Sequence, residues 1–89
     1  MVRWQIRFMG RVQGVGFRAT TQWIARSHPV TGWVRNEPDG SVLMVAEGDP
    51  DRLETFLQAI RDRMDGRIRS EDRQTAAATG EFTGFEVRR

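Results

Sequence analysis

Segments with strand-like alternation and segments with helical spacing follow one another in an order that few folds accommodate. The predicted strands are Arg3 to Met9, Gly32 to Asn36, Ser41 to Glu47, Ile68 to Arg73 and a closing strand at Phe82 to Val87. The predicted helices are Phe17 to Arg26 and a segment that begins at Asp49-Pro50. The order β-α-β-β-α-β predicts a ferredoxin-like α+β sandwich, in which two helices cover one face of a mostly antiparallel sheet.

The second helix has the clearest local signal. Asp49 stands at the predicted N-cap, and Pro50 stands at the first helical position. Apolar residues then recur at helical spacing and predict one buried stripe, formed by Leu53, Phe56, Leu57, Ile60 and Met64.

The sequence also predicts a hairpin, an edge strand and a loop. Pro38-Asp39-Gly40 is a turn sequence and predicts a hairpin between the second and third strands. The fourth strand has Ile68 as its only inward-facing apolar residue, which predicts a position at the edge of the sheet. The polar and alanine-rich segment Thr75 to Thr79 predicts a loop.

Composition limits the kinds of site that the chain can form. Its 89 residues, of which 38% are hydrophobic, predict one domain over residues 1–89 with a modest core. The chain has no cysteine and one histidine, so thiolate and multi-histidine metal sites within one chain are excluded and no metal is expected. The histidine, His28, precedes Pro29 and is expected to end a helix rather than to act in catalysis.

Charge and hydropathy point away from nucleic acids and membranes. All 14 basic side chains are arginine, and the formal net charge of +2 favours small anions only mildly. The third strand carries no aromatic residue on which RNA bases could stack. The N-terminus is charged and alternating rather than signal-like, and no apolar run could span a bilayer. We therefore expect a cytoplasmic protein that binds neither nucleic acid nor membranes. A monomer is the default expectation, since the sequence does not indicate an oligomeric state.

The segment between the first strand and the first helix, Gly10-Arg11-Val12-Gln13-Gly14-Val15-Gly16-Phe17-Arg18, predicts an anion-binding loop. Glycines let the backbone turn so that successive N–H groups point at one spot, and a helix N-terminus adds unpaired N–H groups. Arg18 adds a planar, charged group that fits phosphate oxygens and that would otherwise oppose the helix dipole. The glycines alone leave a plain strand-to-helix connection open as the alternative.

Asn36 ends the second strand, just before the turn. Asparagine favours such positions for conformational reasons, and turn chemistry is one explanation of it. The second explanation follows from topology, because in this fold the second strand lies beside the third and the first and third are central. Asn36 could then approach the loop after the first strand, provided that its side chain projects toward the same end of the sheet.

Several motifs in the right order and spacing resemble the acylphosphatase family. They are Val12-Gln13-Gly14-Val15-Gly16-Phe17-Arg18, Gly32-Trp33-Val34-Arg35-Asn36, Asp39-Gly40-Ser41-Val42 and Glu47-Gly48, and the resemblance returns at Phe82 to Arg88. Small acylphosphatases are single-domain ferredoxin-like enzymes that hydrolyse carboxyl-phosphate anhydrides without a metal.

The resemblance implies specific roles for residues of this chain. Arg18 would bind the phosphate of a small acyl phosphate together with the backbone N–H groups of Gly14, Val15, Gly16, Phe17 and Arg18 itself. Asn36 would orient the attacking water, and no cofactor would be needed. Inorganic phosphate or sulfate could occupy the same loop. We expect direct attack by water, because the sequence offers no convincing nucleophile.

The chain departs from the family pattern where the first helix ends. The family usually has glycine there, whereas this chain has His28-Pro29-Val30. Proline cannot adopt the positive φ of a left-handed cap, so this helix must end differently.

Two functions are compatible with this fold and these motifs. The main expectation is an acylphosphatase enzyme. The alternative is a non-catalytic phosphate-binding or regulatory module, since acylphosphatase-like domains also occur inside larger carbamoyl-transfer proteins. A start at Met1 and an end just after the last strand favour the free-standing enzyme.

Overall fold

The computed structural model describes all residues from Met1 to Arg89. Five strands and two helices follow one another along the chain: β1 Val2–Gly10, α1 Phe17–Ala25, β2 Thr31–Asn36, β3 Val42–Gly48, α2 Pro50–Arg63, β4 Ile68–Ala77 and β5 Phe85–Arg88. Both ends of the first four elements and the start of α2 lie within one residue of the sequence-based expectation or match it. The predicted strand-and-helix order is therefore confirmed.

The strands form one sheet in the order β4-β1-β3-β2-β5. All neighbouring pairs are antiparallel except β2 and β5, which run parallel. β1 and β3 are central and β2 lies beside β3, as the ferredoxin-like topology predicts. The fold class is confirmed, with a fifth strand added at the β2 edge.

Both helices pack on one face of the sheet. The alternating residues Trp4, Ile6 and Phe8 of β1 are buried beneath them, and so is the predicted stripe of α2. Pro50 is the first helical residue of α2 and Asp49 occupies the N-cap position, but the Asp49 side chain makes no capping hydrogen bond. Removal of this apolar surface from water is what holds the helices against the sheet.

The opposite face of the sheet is covered by side chains rather than by helices. Trp33, Leu43 and Val45 are buried there as a second cluster, with Phe82 packed against them. The guanidinium carbons of Arg35 and Arg88 lie 4.8 and 4.9 Å from the centre of the Trp33 ring. Cation–π contact and the apolar stems of these arginines shield the tryptophan from water.

The predicted end of β4 and the predicted start of β5 were wrong. β4 continues to Ala77 instead of ending at Arg73, so residues 75–77 are not part of a loop. Their backbone pairs with β1 as far as Val2, and an edge strand can form such pairs without the apolar alternation that a packed strand shows. Consequently, the sequence of this segment carried no strand signal.

β5 begins at Phe85 rather than at Phe82 because the residues before it are tied to β3. The carboxylate of Glu47 accepts hydrogen bonds from the backbone N–H groups of Thr79 and Gly80 at 2.9 and 3.0 Å and from the Thr79 hydroxyl at 2.9 Å. Phe82 then packs on the open face, so pairing with β2 starts only at Phe85.

α1 ends at Ala25, and the turn after it closes at His28-Pro29 without the glycine that the family usually has. The N–H groups of Ser27 and His28 bond to the carbonyls of Ile24 and Ala25, and ring Nδ1 of His28 lies 2.9 Å from the Ile24 oxygen. No residue other than glycine has a positive φ. The last turn therefore tightens and closes on itself without a left-handed cap.

Candidate active site

The loop between β1 and α1 has the backbone that its glycines predict. Gly14 and Gly16 adopt φ values of 74° and 76°, and a Cβ added to either residue would meet no atom within 4 Å. The glycines are thus required by conformation and not by crowding. Gly16 is also the N-cap of α1, and its carbonyl accepts the first helical hydrogen bond from Thr20 at 3.0 Å.

The start of α1 presents unpaired donors. No backbone N–H from Gly14 to Ala19 donates a hydrogen bond to another protein group, and no side chain caps the helix. The first turn carries no acidic residue. These N–H groups and the positive end of the helix dipole make the loop attractive to an anion.

Arg18 lies in this first turn, on the half-buried surface beside β5. Its guanidinium Nη1 donates to the carbonyl oxygen of Arg88 at 3.3 Å. No carboxylate lies within ion-pair distance of it, although other arginines of the chain have such partners. The charge of Arg18 is therefore oriented by β5 without being neutralised.

Asn36 projects toward the same end of the molecule. It lies two residues after Val34, which is fully buried under the helices, so both side chains point to the helix side of the sheet. Asn36 pairs with Val42 at the first residue of β3, where the sheet ends near the loop. This arrangement meets the condition under which Asn36 could approach the loop.

One cavity of about 240 Å³ collects these groups. Its lining is formed by Val12, Gly14, Gly16, Phe17, Arg18, Ala19, Gln22, Asn36, Val87 and Arg89. Of the predicted site residues, Val15 alone does not line it, since its side chain packs against the core.

Sequence reasoning missed the contribution of four residues outside the loop and the first turn of α1. Gln22, Val87 and Arg89 line the cavity together with Arg18, and Gln22 Nε2 donates to the Phe85 carbonyl at 3.3 Å. The contact between Arg18 and Arg88 joins residues 70 positions apart, and no local pattern signals such a contact.

The turn that follows Asn36 is tightly organised. The carboxylate of Asp39 accepts hydrogen bonds from the hydroxyl and the backbone N–H of Ser41, and Arg7 Nη1 donates to the Ser41 hydroxyl at 2.8 Å. These bonds, led by that from the Ser41 hydroxyl, lower the pKa of Asp39 below its ordinary value of 3.8. The predicted Pro38-Asp39-Gly40 turn is thus a rigid support for the end of β2.

Comparison with known proteins now decides the family. The sequence profile of the acylphosphatase family matches residues 4–87. This chain belongs to the acylphosphatase family. An acylphosphatase of Salinibacter ruber is 49% identical over 84 residues, which cover 93% of this chain and 88% of that protein.

Solved structures of acylphosphatases share the whole architecture. The crystal structure of acylphosphatase from Bacillus subtilis matches with a TM-score of 0.91 and 30% identity, and each chain is covered completely. The crystal structure of HypF from T. kodakarensis matches with a TM-score of 0.84 and 27% identity, but this chain covers 12% of it. The acylphosphatase fold thus also occurs as a small part of a longer chain.

The structure contains neither a cluster of side chains suited to hold a metal ion nor a helix suited to span a membrane. No group of three or more His, Cys, Asp or Glu side chains is arranged so that it could hold a metal ion. Neither helix has the length and apolar character that crossing a membrane requires.

Proposed function

We propose that this protein hydrolyses the carboxyl-phosphate bond of small acyl phosphates, giving a carboxylate and inorganic phosphate. The observation that carries the proposal is the meeting of three features in one cavity: unpaired backbone N–H groups, an arginine without a carboxylate partner, and Asn36. Membership of the acylphosphatase family supports it independently. In this proposal residues 1–89 act as a single acylphosphatase-like domain.

The phosphoryl group would be bound by Arg18 and by the backbone N–H groups of Gly14, Val15, Gly16, Phe17 and Arg18. A transferring phosphoryl group spreads negative charge over its outer oxygens, and fixed donors that face this charge stabilise the transition state. A guanidinium supplies two parallel donors, and glycine conformations orient the amides before the substrate arrives.

Asn36 would bind the attacking water and orient it in line with the bond that breaks. In the proposed step the water oxygen forms a bond to phosphorus while the bond from phosphorus to the carboxyl oxygen breaks. The carboxylate leaves with the electron pair, and the water proton ends on phosphate or solvent. A carboxylate is a weak base, so its departure needs no strong general acid.

Direct attack by water is supported by what lines the cavity. None of its lining residues is Ser, Thr, Cys, His, Asp, Glu or Lys, so no side chain there is suited to form a phosphoenzyme. Inorganic phosphate, as the product, and sulfate, as its analogue, would occupy the same donors. No charged group other than Arg18 and Arg89 lines the cavity, and we expect loose selectivity for the acyl part.

The proposal includes a monomeric enzyme in the cytoplasm. The apolar side chains of the open sheet face are covered within the chain, and the large exposed apolar residues are Met1 and Trp23. A chain without cysteine is compatible with a reducing compartment. Light scattering during size-exclusion chromatography tests the monomer.

Hydrolysis of benzoyl phosphate in excess EDTA tests the proposed function. Wild type should turn over, and Arg18→Ala and Asn36→Ala should each lose about 100- to 1,000-fold in kcat/KM, as expected for removal of a group that stabilises the transition state. Arg11→Ala is the matched control, since Arg11 is an exposed arginine of the same loop that does not line the cavity. Phosphate binding by folded wild type without any turnover would favour the binding module instead.

A further inference from the structure

Gln13 joins the loop after β1 to the hairpin that follows Asn36. Its side-chain Nε2 donates one hydrogen bond to the carbonyl oxygen of Glu37 at 2.7 Å and another to that of Ser41 at 2.9 Å. Both hydrogens of the amide group are therefore used, and both acceptors belong to the same turn. We call this pair of bonds the Gln13 bridge.

Two of the residues joined by the bridge are chain neighbours of residues in the proposed active site. Gln13 directly precedes Gly14, the first residue proposed to donate its N–H to the phosphate, and Glu37 directly follows Asn36. The hairpin end is closed internally, since the N–H of Glu37 bonds to the Ser41 carbonyl at 2.9 Å. A displacement of this turn would therefore be transmitted directly to Asn36.

No other hydrogen bond connects the two parts of the site. The other bond from the loop to a distant element runs from the Arg11 N–H to the Arg67 carbonyl at 2.9 Å, beside β4 and away from Asn36. Pairing of β1 with β3 stops at Phe8 and Val42. Beyond that point, the Gln13 bridge is the direct hydrogen-bonded link between the loop and the hairpin, while Arg7 of β1 holds the turn through the Ser41 hydroxyl and Val12 is buried in the core.

We propose that Gln13 is a positioning residue, which acts on the reaction by holding Asn36 in fixed relation to the amides of the loop. This inference rests on the proposed function, because it assigns Gln13 an effect on the water that Asn36 orients. In-line attack requires the water and the phosphoryl group to be held within a narrow range of distance and direction. Gln13 does not line the cavity, so it acts through Asn36 rather than on the substrate.

Gln13→Met keeps the length of the side chain and removes its donors. We expect kcat to fall between about 10- and 100-fold, the range that a displacement of roughly 1 Å produces. The inhibition constant of inorganic phosphate should change by less than about threefold, because the glycine conformations and the start of α1 that present the amides are retained. Gln5→Met is the matched control, since Gln5 is exposed on β1 and makes no side-chain hydrogen bond.

A double-mutant cycle with Asn36→Ala separates positioning from general support of the fold. If Gln13 acts through Asn36, Gln13→Met costs less than about threefold in kcat once Asn36 is already alanine. Losses that multiply in the double variant, or a phosphate inhibition constant that rises in step with the fall in kcat, would overturn the inference while leaving the proposed function intact. Absence of turnover in folded wild type would instead overturn the proposed function.

A second variant covers the case in which Gln13→Met does not fold. Gln13→Asn keeps the amide but shortens its reach, so it cannot bond to both carbonyls. It should show the same fall in kcat and the same non-additivity with Asn36→Ala, and it should shift the side-chain amide resonance of Asn36 in ¹⁵N-edited NMR spectra. An unshifted Asn36 resonance together with wild-type kcat would refute the positioning role.

Discussion

Replacing Glu47 by glutamine should destabilise the fold without impairing the site. The side chain of Glu47 is 3% exposed, and its carboxylate binds the Thr79 N–H and hydroxyl through Oε2 and the Gly80 N–H through Oε1. An amide in its place presents a donor at one of these positions. Whichever way it is oriented, the backbone N–H of either Thr79 or Gly80 loses its acceptor, although the Thr79 hydroxyl can reverse its role.

The expected loss of stability follows from the hydrogen bonds that change. A hydrogen bond to a charged group contributes about 1.5–3 kcal/mol, and the bonds that remain lose the assistance of the charge. Arg3, whose Nε lies 3.4 Å from Glu47, retains a second carboxylate partner in Glu81 at 2.7 Å and adds little to the loss. We expect Glu47→Gln to lower the free energy of unfolding by about 2–3 kcal/mol at pH 7.

The same carboxylate makes the stability pH-dependent. Burial by itself would raise the pKa of Glu47, but the hydrogen bonds from Thr79 and Gly80 and the charge of Arg3 outweigh burial and lower the pKa below its ordinary value of 4.5. The unfolded chain therefore takes up this proton before the folded protein does. The stabilisation is complete above the unfolded pKa and is lost as the pH falls from there through the folded pKa.

Urea denaturation followed by tryptophan fluorescence measures both effects. At pH 7 the midpoint of Glu47→Gln should fall by about 0.7–3 M if the slope is 1–3 kcal/mol per M. The gap between variant and wild type should narrow as the pH falls below the ordinary glutamate pKa of 4.5. Glu86→Gln is the matched control, because the Glu86 side chain is 62% exposed and has only Arg88 as an ion partner, at 3.6 Å. A loss of less than 0.5 kcal/mol, on the order of an ordinary surface substitution, or a gap that does not change with pH, would refute this reasoning.

Two further pairs of substitutions test a buried hydroxyl group and a glycine conformation. The hydroxyl of Thr21 is buried without a hydrogen-bond partner, so Thr21→Val should raise the free energy of unfolding by up to about 1 kcal/mol in the same denaturation assay. Its control is Thr20→Val, at a half-buried residue of α1, which should change the free energy of unfolding by less than about 0.5 kcal/mol. Gly16→Ala and Gly66→Ala both force a side chain into positive φ, 76° and 80°, and should each cost about 1–2 kcal/mol of stability. Only Gly16→Ala should also weaken binding of inorganic phosphate, by roughly tenfold for one displaced amide, and equal binding by both variants in calorimetry would contradict the assignment of the loop.

The parts of the fold that could be predicted from sequence are those whose signal is local. The α2 stripe follows from helical spacing, and the loop follows from two glycines that need positive φ next to a helix start. Residues 75–77 of β4 gave no such signal, because an edge strand is held by backbone pairing alone. The start of β5 depended on Glu47, which lies 32 residues before Thr79, and no window along the sequence includes both.

The residues of the candidate site also differ in whether a local stretch of sequence could predict them. Arg18 and the loop could be found in one stretch of sequence, whereas the place of Asn36 required the topology and its alternation with Val34. The Arg18 contact to Arg88 and the Gln13 bridge could not be predicted, since both end on backbone carbonyls, which every residue possesses.

The pairing register separates the buried acid-sensitive carboxylate from the candidate site. Asn36 pairs with Val42 at one end of β3 and Thr31 pairs with Glu47 near the other, a distance of about 17 Å along an extended strand. No carboxylate or imidazole side chain lines the cavity, and arginine keeps its proton at every pH at which proteins fold. Asp39, in the turn, has an exposed side chain, so its protonation costs the fold less than that of Glu47. Of the two carboxylates whose pKa the fold lowers, Glu47 at the remote end of β3 therefore carries the larger effect of acid on stability, and the loop keeps its charge for as long as the sheet holds it in place.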